Sequence, residues 1–244
     1  MTSIRSTSRT LAACAAAVIG MTPLTLDAQA QPRTRFGALI GLSSTSITDA
    51  DVGDFGEIGV NAETKRRMGF QLGAYLTQAL TNSVSFQPEI HYIQKGAKVS
   101  VTVTDIEGVQ TTADAEASVK LAYLEVPLLL RLDMGSEGGS VRPFLLAGPA
   151  VALRISCNLG LGVEGASFNT DCAESFEDET ESDDPFKKFD AGIMVGGGVA
   201  GTMGSLPVSL QVRYSYGLIN IARDPIDNRS PKNTGISLLF GIGF

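Results

Sequence analysis

Several things are scarce in this sequence, and each scarcity removes a class of protein. Past the first 30 residues no apolar run approaches the ~20 residues a membrane-crossing helix needs, so any passage through a membrane must use strands. Long stretches with a 3.6-residue apolar period are missing as well. With 27 glycines, that points to an all-β chain of one domain. Basic residues are outnumbered, 19 Lys and Arg against 26 Asp and Glu, which argues against the basic footprint of a nucleic-acid binder. Imidazole chemistry has a single candidate, His91.

What is present begins with an export signal. Arg5 and Arg9 precede an apolar run from Leu11 to Gly20, continuing to Met21 and Leu24, and Ala28-Gln29-Ala30 supplies a small-x-small cleavage site. Leu11-Ala12-Ala13-Cys14 matches a lipoprotein box, but the apolar run continues past Cys14, which favours cleavage after Ala30. Residues 1–30 are therefore expected to be a signal peptide and 31–244 the mature domain. Losing Arg5, Arg9 and Asp27 lowers the basic count from 19 to 17 and the acidic count from 26 to 25, a net charge of −8.

The mature sequence alternates with period two, the strand signature. In Arg35–Ser43, Phe36, Ala38, Ile40 and Leu42 share a face opposite Gly37, Leu39 and Gly41. Met68–Gln78 repeats this with Phe70 and Leu72 on one side and Gln71 and Gly73 on the other. Val84–Tyr92 sets Phe86, Ile90 and Tyr92 against Ser85, Gln87, Glu89 and His91, the pattern of a wall with lipid outside and a wet or ion-paired interior. Pro88 removes a ladder donor there and suggests a bulge. The strand is expected to run on through Val103, turn near Asp105–Gly108 and return toward Lys120. Leu121–Asp133, Val141–Ile155, Lys188–Met203, Val208–Leu218 and Thr234–Phe244 complete the set. The connections alternate long and short, with Ser44–Lys65, Ser156–Pro185 and Asn220–Asn233 among the long ones. Seven alternating connections imply an eight-stranded antiparallel barrel, an up-and-down meander with its short turns on the periplasmic side.

The segments FGALIGLS, SFQPEIHYIQKG, YLEVPLLLRL, PFLLAGPAVALR and KKFDAGIMVGGGV, in that order and with the terminal Phe244, resemble the outer-membrane β-barrel family that includes PorT-like and "porin family" proteins. The likeness runs over essentially all of 36–244. It implies an eight-stranded outer-membrane barrel, usually without an assigned molecular activity, and it supplies no catalytic residues. Outer-membrane lipid is the implied surrounding, and the C-terminal strand ending at Phe244 the implied handle for the barrel-assembly machinery. The fold-level alternative is a soluble lipocalin-like barrel, which would turn the apolar set inward.

Individual residues add little chemistry. Gly196-Gly197-Gly198-Val199-Ala200-Gly201 fits G-x-G-x-x-G but lies within a strand, so small inward residues in a narrow barrel explain it better than a nucleotide site. His91 shares the inward face with Glu89; catalysis would need a nucleophile and an orienting group, whereas an interior polar network needs neither. Glu174–Asp184 crowds seven carboxylates without EF-hand spacing and reads as a solvated loop. An interior network is expected on Glu89, Glu125 and Arg213, with Arg213 reaching across the lumen between the two carboxylates and Arg131, Arg142 or Asp190 extending it. Cys157 and Cys172, the cysteines left after signal removal, are expected to pair in the oxidising compartment, closing a loop of about 15 residues worth roughly 3 kcal/mol. No metal or other cofactor is implied. The chain reads as a structural or interaction protein of the outer membrane and not an enzyme, the alternatives being ligand binding or transport at the barrel mouth and a lipid-modifying enzyme.

Overall fold

The computed structural model describes residues 34–48, 60–103, 113–135, 141–163, 166–172, 186–223 and 230–244. The expected signal peptide, the turn at Asp105–Gly108 and the acidic run Glu174–Asp184 lie outside the described residues. The alternating segments form strands β1 (Thr34–Thr48), β2 (Val60–Ala79), β3 (Val84–Val103), β4 (Ala113–Asp133), β5 (Val141–Val163), β6 (Ala166–Asp171), β7 (Phe189–Met203), β8 (Leu206–Gly217) and β9 (Lys232–Gly243). Every pairing is antiparallel. Neighbours run β4-β3-β2-β1-β9-β8-β7-β5, and a further β4–β5 pairing closes the ring, so eight strands make a closed barrel and β6 stands outside the ring on β5.

Closure happens where the first strand meets the last. β1 and β9 pair from Gly37↔Gly243 to Thr48↔Lys232, and the Phe244 N–H donates to the Phe36 carbonyl at 2.7 Å. Gly41 permits this approach. A Cβ there would sit 2.1 Å from the Leu238 carbonyl oxygen, so any side chain would force the seam apart.

Period-two alternation decides what each side chain meets. Phe36, Ile40, Leu72, Ile90, Leu128, Leu145, Ile193, Leu210 and Leu238 point outward and are exposed, while Leu39, Gln71, Glu89, His91, Leu129, Phe144, Arg213 and Leu239 are buried in the lumen. An apolar outer band around a polar interior is the arrangement of a lipid-spanning barrel. It rules out the lipocalin-like alternative. Tight connections occupy one end: the Val84 N–H donates to Thr81 Oγ1 at 2.9 Å in the β2–β3 turn, and Gly204 adopts φ 66° between β7 and β8.

Two expectations change. Pro88 causes no register shift, since it pairs with Leu128 and His91 pairs with Glu125 in the same register. Proline there removes one donor and nothing more; the irregularities fall between Arg66 and Gln71 in β2 and between Ala122 and Tyr123 in β4. The segments Ser44–Lys65 and Ser156–Pro185 are not wholly loops. β1 runs on to Thr48, β2 begins at Val60, and β5 continues to Val163 before returning as β6. β2 to β5 therefore carry 20 to 23 residues, about twice what crossing the membrane needs, and they rise as an open sheet above the shorter β7, β8 and β9.

Leu128 lies on the outward face of β4 within the apolar band. Leu128→Arg is expected to cost about 2–4 kcal/mol of unfolding free energy in lipid vesicles, against about 0–1 for Ser100→Arg on the extension of β3. Equal costs at the two positions would contradict this orientation.

Candidate functional site

The inward face of β3 carries Ser85, Gln87, Glu89, His91, Ile93 and Lys95 in strict alternation, so one strand delivers a column of polar groups to the lumen. At its middle, Glu89 meets Arg213 of β8 in a two-pronged pair, Nη1 to Oε2 at 2.6 Å and Nη2 to Oε1 at 2.8 Å. Both side chains are enclosed, and paired N–H···O bonds of this kind are among the strongest a carboxylate accepts. Gln87 Nε2 donates to Glu89 Oε1 at 2.6 Å, and Gln211 Oε1 accepts from Arg213 Nη2 at 3.0 Å. His91 Nε2 lies 2.7 Å from Glu89 Oε2, and Nδ1 is engaged by Gln71 Nε2.

Room for the guanidinium comes from the glycines of β7. Gly196 stands opposite Arg213 and Gly198 opposite Gln211. A Cβ on Gly196 would lie 2.9 Å from Arg213 Cγ, and one on Gly198 2.7 Å from Gln211 Cβ. Gly196 and Gly198 of the G-x-G-x-x-G run are thus clearance for the lumen network.

Glu125 does not join Arg213. Equal counting from the periplasmic ends of tilted, staggered strands does not give equal heights, and His91, not Glu89, is the residue opposite Glu125. Glu125 belongs to a second network, where Lys95 Nζ donates to its Oε1 at 2.7 Å and lies 4.0 Å from Asp190 Oδ2. Asn233 Nδ2 donates to Asp190 at 2.8 Å and to the Tyr123 hydroxyl at 3.2 Å, while Lys95 stands 5.2 Å from the Tyr123 ring centre. Lys95, Glu125, Asp190 and Asn233 line a cavity of about 10 Å³, the scale of one water. Lys95 was legible as an inward residue, in phase with Glu89 and His91; Asn233 was not, because it falls at a loop boundary.

Apolar layers cap both networks. Toward the short turns lie Leu129, Phe144, Leu146, Ala150 and Met194. There the Arg131 guanidinium stacks 3.8 Å above the Phe144 ring, bonds Asp133 at 2.8 Å and reaches Gln87 at 3.4 Å. Arg142 is half-buried opposite Ala200. Toward the mouth, Ile47, Ile93, Ala97, Leu121, Tyr123 and Ile221 pack with the disulfide Cys157–Cys172. The cysteines are 5.4 Å apart at Cα, and the Cys172 N–H donates to the Cys157 carbonyl at 3.2 Å, locking the β5–β6 hairpin where a compact loop was expected. Among the described residues no group of three or more His, Cys, Asp or Glu is placed to hold a metal ion.

Residues 28–223 match the family model described as "Outer membrane protein beta-barrel domain", and the chain belongs to this family of outer-membrane β-barrels. No curated protein matches it. Among solved structures it is similar to Neisserial surface protein A, at 11% identity and TM-score 0.38 over 86% of this chain and 97% of that one. It is also similar to the outer membrane protein OprG from Pseudomonas aeruginosa, at 14% identity and TM-score 0.37 over 89% of this chain and 99% of that one. Ail of Yersinia pestis, solved with the heparin analogue sucrose octasulfate, gives 11% identity and TM-score 0.37 over 86% and 99%. Membership of the family rests on the match over residues 28–223 and agrees with the closed eight-stranded ring.

Removing one member of a buried pair strands its partner's charge. Arg213→Ala is expected to lose about 3–5 kcal/mol, whereas the joint replacement Glu89→Leu with Arg213→Met should be close to neutral. Denaturant unfolding in detergent measures both; a loss at Arg213 no larger than that of the exposed Arg66→Ala would contradict the paired geometry.

Proposed function

We propose that this chain is a structural or interaction protein of the outer membrane, without catalytic activity and without an open pore. One observation carries the reading: along the lumen an apolar layer, two ion-paired layers and a second apolar layer follow one another, each built from fully buried side chains. An eight-stranded barrel is only wide enough for its own side chains, and here they fill it. His91 supports the absence of catalysis, being enclosed and engaged by Gln71 and Glu89, out of reach of a substrate.

A second reading is small-ligand binding at the mouth. It draws on Leu161 and Phe168, cross-strand partners on the β5–β6 hairpin that are 57% and 70% exposed above the plug. The lipid-modifying alternative has no comparable support. Export through residues 1–30, placement with the PorT-like members and delivery to the assembly machinery through the strand ending at the exposed Phe244 complete the proposal.

Planar-bilayer recording separates a filled barrel from a pore. The purified protein is expected to produce no stepwise conductance at any applied voltage. Reproducible unitary steps, abolished by heat-unfolding the protein before addition, would overturn the reading.

A further inference from the structure

At the end of the short turns the lumen opens outward again, and its charges there are not balanced. The inward phase of β1 and β5 continues to their first residues, placing Arg35 two positions before Gly37 and Arg142 two before Phe144. Arg131 and Asp133 are the other charged groups of this end, and they are bound to each other through both carboxylate oxygens. Among the described residues, these four are the ionised side chains that face the lumen here. Three guanidinium groups therefore stand against one carboxylate.

The register sets the other two arginines face to face. β1 and β5 are four strands apart in either direction around the ring. Followed across successive strands in register, Arg35 leads through Thr77, Gln87 and Leu129 to Gly148 on β5, and the completed circuit returns to β1 at Thr45, ten residues higher. Half of that climb falls between β1 and β5, so the position level with Arg35 is five residues below Gly148, at Pro143, next to Arg142. Side chains from facing walls of so narrow a barrel reach the same space. Tyr75 marks it: a Cβ on Gly37 would strike its ring, one on Gly243 would lie 3.4 Å from its hydroxyl, and Arg131 and Arg35 both act on that hydroxyl electrostatically. Among the described residues, Arg35, Arg142 and the Tyr75 hydroxyl have no hydrogen-bond or ion-pair partner. The terminal carboxylate of Phe244 ends β9 beside β1 without pairing to Arg35, and Glu137 of the β4–β5 turn lies outside the described residues.

We propose that this end of the lumen binds a phosphate group, clamped between Arg35 and Arg142 with the Tyr75 hydroxyl as a third donor. Guanidinium groups offer donors and no acceptor, so the set selects a ligand that offers acceptors alone, and their planar forks match the paired oxygens of phosphate. The buried Leu129 and Phe144 close the site from above, so the ligand enters and leaves by one face and does not cross the barrel. In the orientation of the proposed function that face is periplasmic. Two sources carry such a group there: a phosphorylated solute, or a phospholipid headgroup of the inner leaflet reaching over the rim.

The test is a phosphorus NMR titration of the folded protein in a maltoside detergent, which carries no phosphate of its own. One arm adds glycerol 3-phosphate and the other a short-chain phosphatidylglycerol. The wild type is expected to broaden the ligand signal saturably, and the double variant Arg35→Gln, Arg142→Gln should weaken binding about tenfold or more. Arg66→Gln, at the other end of the barrel, should bind as the wild type does. Neither lumen arginine is paired, so the double variant should keep the heat-modifiable gel mobility of a closed barrel; should it fail to fold, Arg35→Gln alone should still weaken binding measurably. Tighter binding of the glycerol phosphate names a solute and tighter binding of the lipid names the inner leaflet, and either supports the site. No saturable binding in either arm, or binding that the double variant retains and that is therefore an adventitious ion only, would overturn it without touching the filled-lumen reading.

Discussion

Inside a bilayer no water is available to the backbone, so every N–H and C=O that crosses must find a partner in the chain itself. For strands only a closed ring does this, and here the ring depends on one seam, β1 against β9 from Gly37↔Gly243 to Thr48↔Lys232. The seam explains the sequence at both ends of the domain. Glycine at 41 admits the Leu238 carbonyl, and apolar residues continue to Phe244 because the last strand lies against lipid on one side and the first strand on the other. Alternation then follows from closure, since each strand must show lipid an apolar face and give the lumen whatever remains.

What remains in the lumen includes buried charges, and they fall into two sets. Glu89 is neutralised by Arg213 with Gln87 and Gln211 completing the donor and acceptor count, and Glu125 and Asp190 share Lys95 with Asn233 beside them. Burying such pairs stabilises little in net terms, but each member makes its partner indispensable. Their consequence is positional. Side chains tied across the lumen from β3 to β8 and from β3 to β4 and β7 brace the cylinder, with apolar layers at both ends. Above the braced cylinder stand the tall β2–β5 wall and the disulfide-locked β5–β6 hairpin.

The parts legible in the sequence are those where the membrane imposes the pattern. Inward and outward sets could be assigned from Phe36 to Leu42, from Val84 to Tyr92 and from Leu124 to Leu132, because lipid on one side and a packed lumen on the other make period two unmistakable. Above the bilayer water meets both faces, the constraint lapses, and Ser156–Val163 with its serine, asparagine and glycines looks like a loop although it is the upper third of β5. The networks were half legible for a related reason. Phase places a residue on the inner face, so Glu89, Glu125 and Arg213 were all found there, but stagger between tilted strands decides who meets whom. That is why Glu125 lies with Lys95, and why Asn233, at the edge of a long connection, gave no signal of its own.

Amide hydrogen exchange of the protein in lipid bilayers tests the sealed ring and its solid interior most directly. Exchange should be slowest in one continuous belt through all eight ring strands, including the β1–β9 seam. The lower halves of β4 and β5 should be as protected as β9, while β6 and the upper ends of β2 and β3 exchange much faster. Fast exchange along Gly235–Ile242, at the rate of β6, would mean the ring is open at its seam and would contradict the claim.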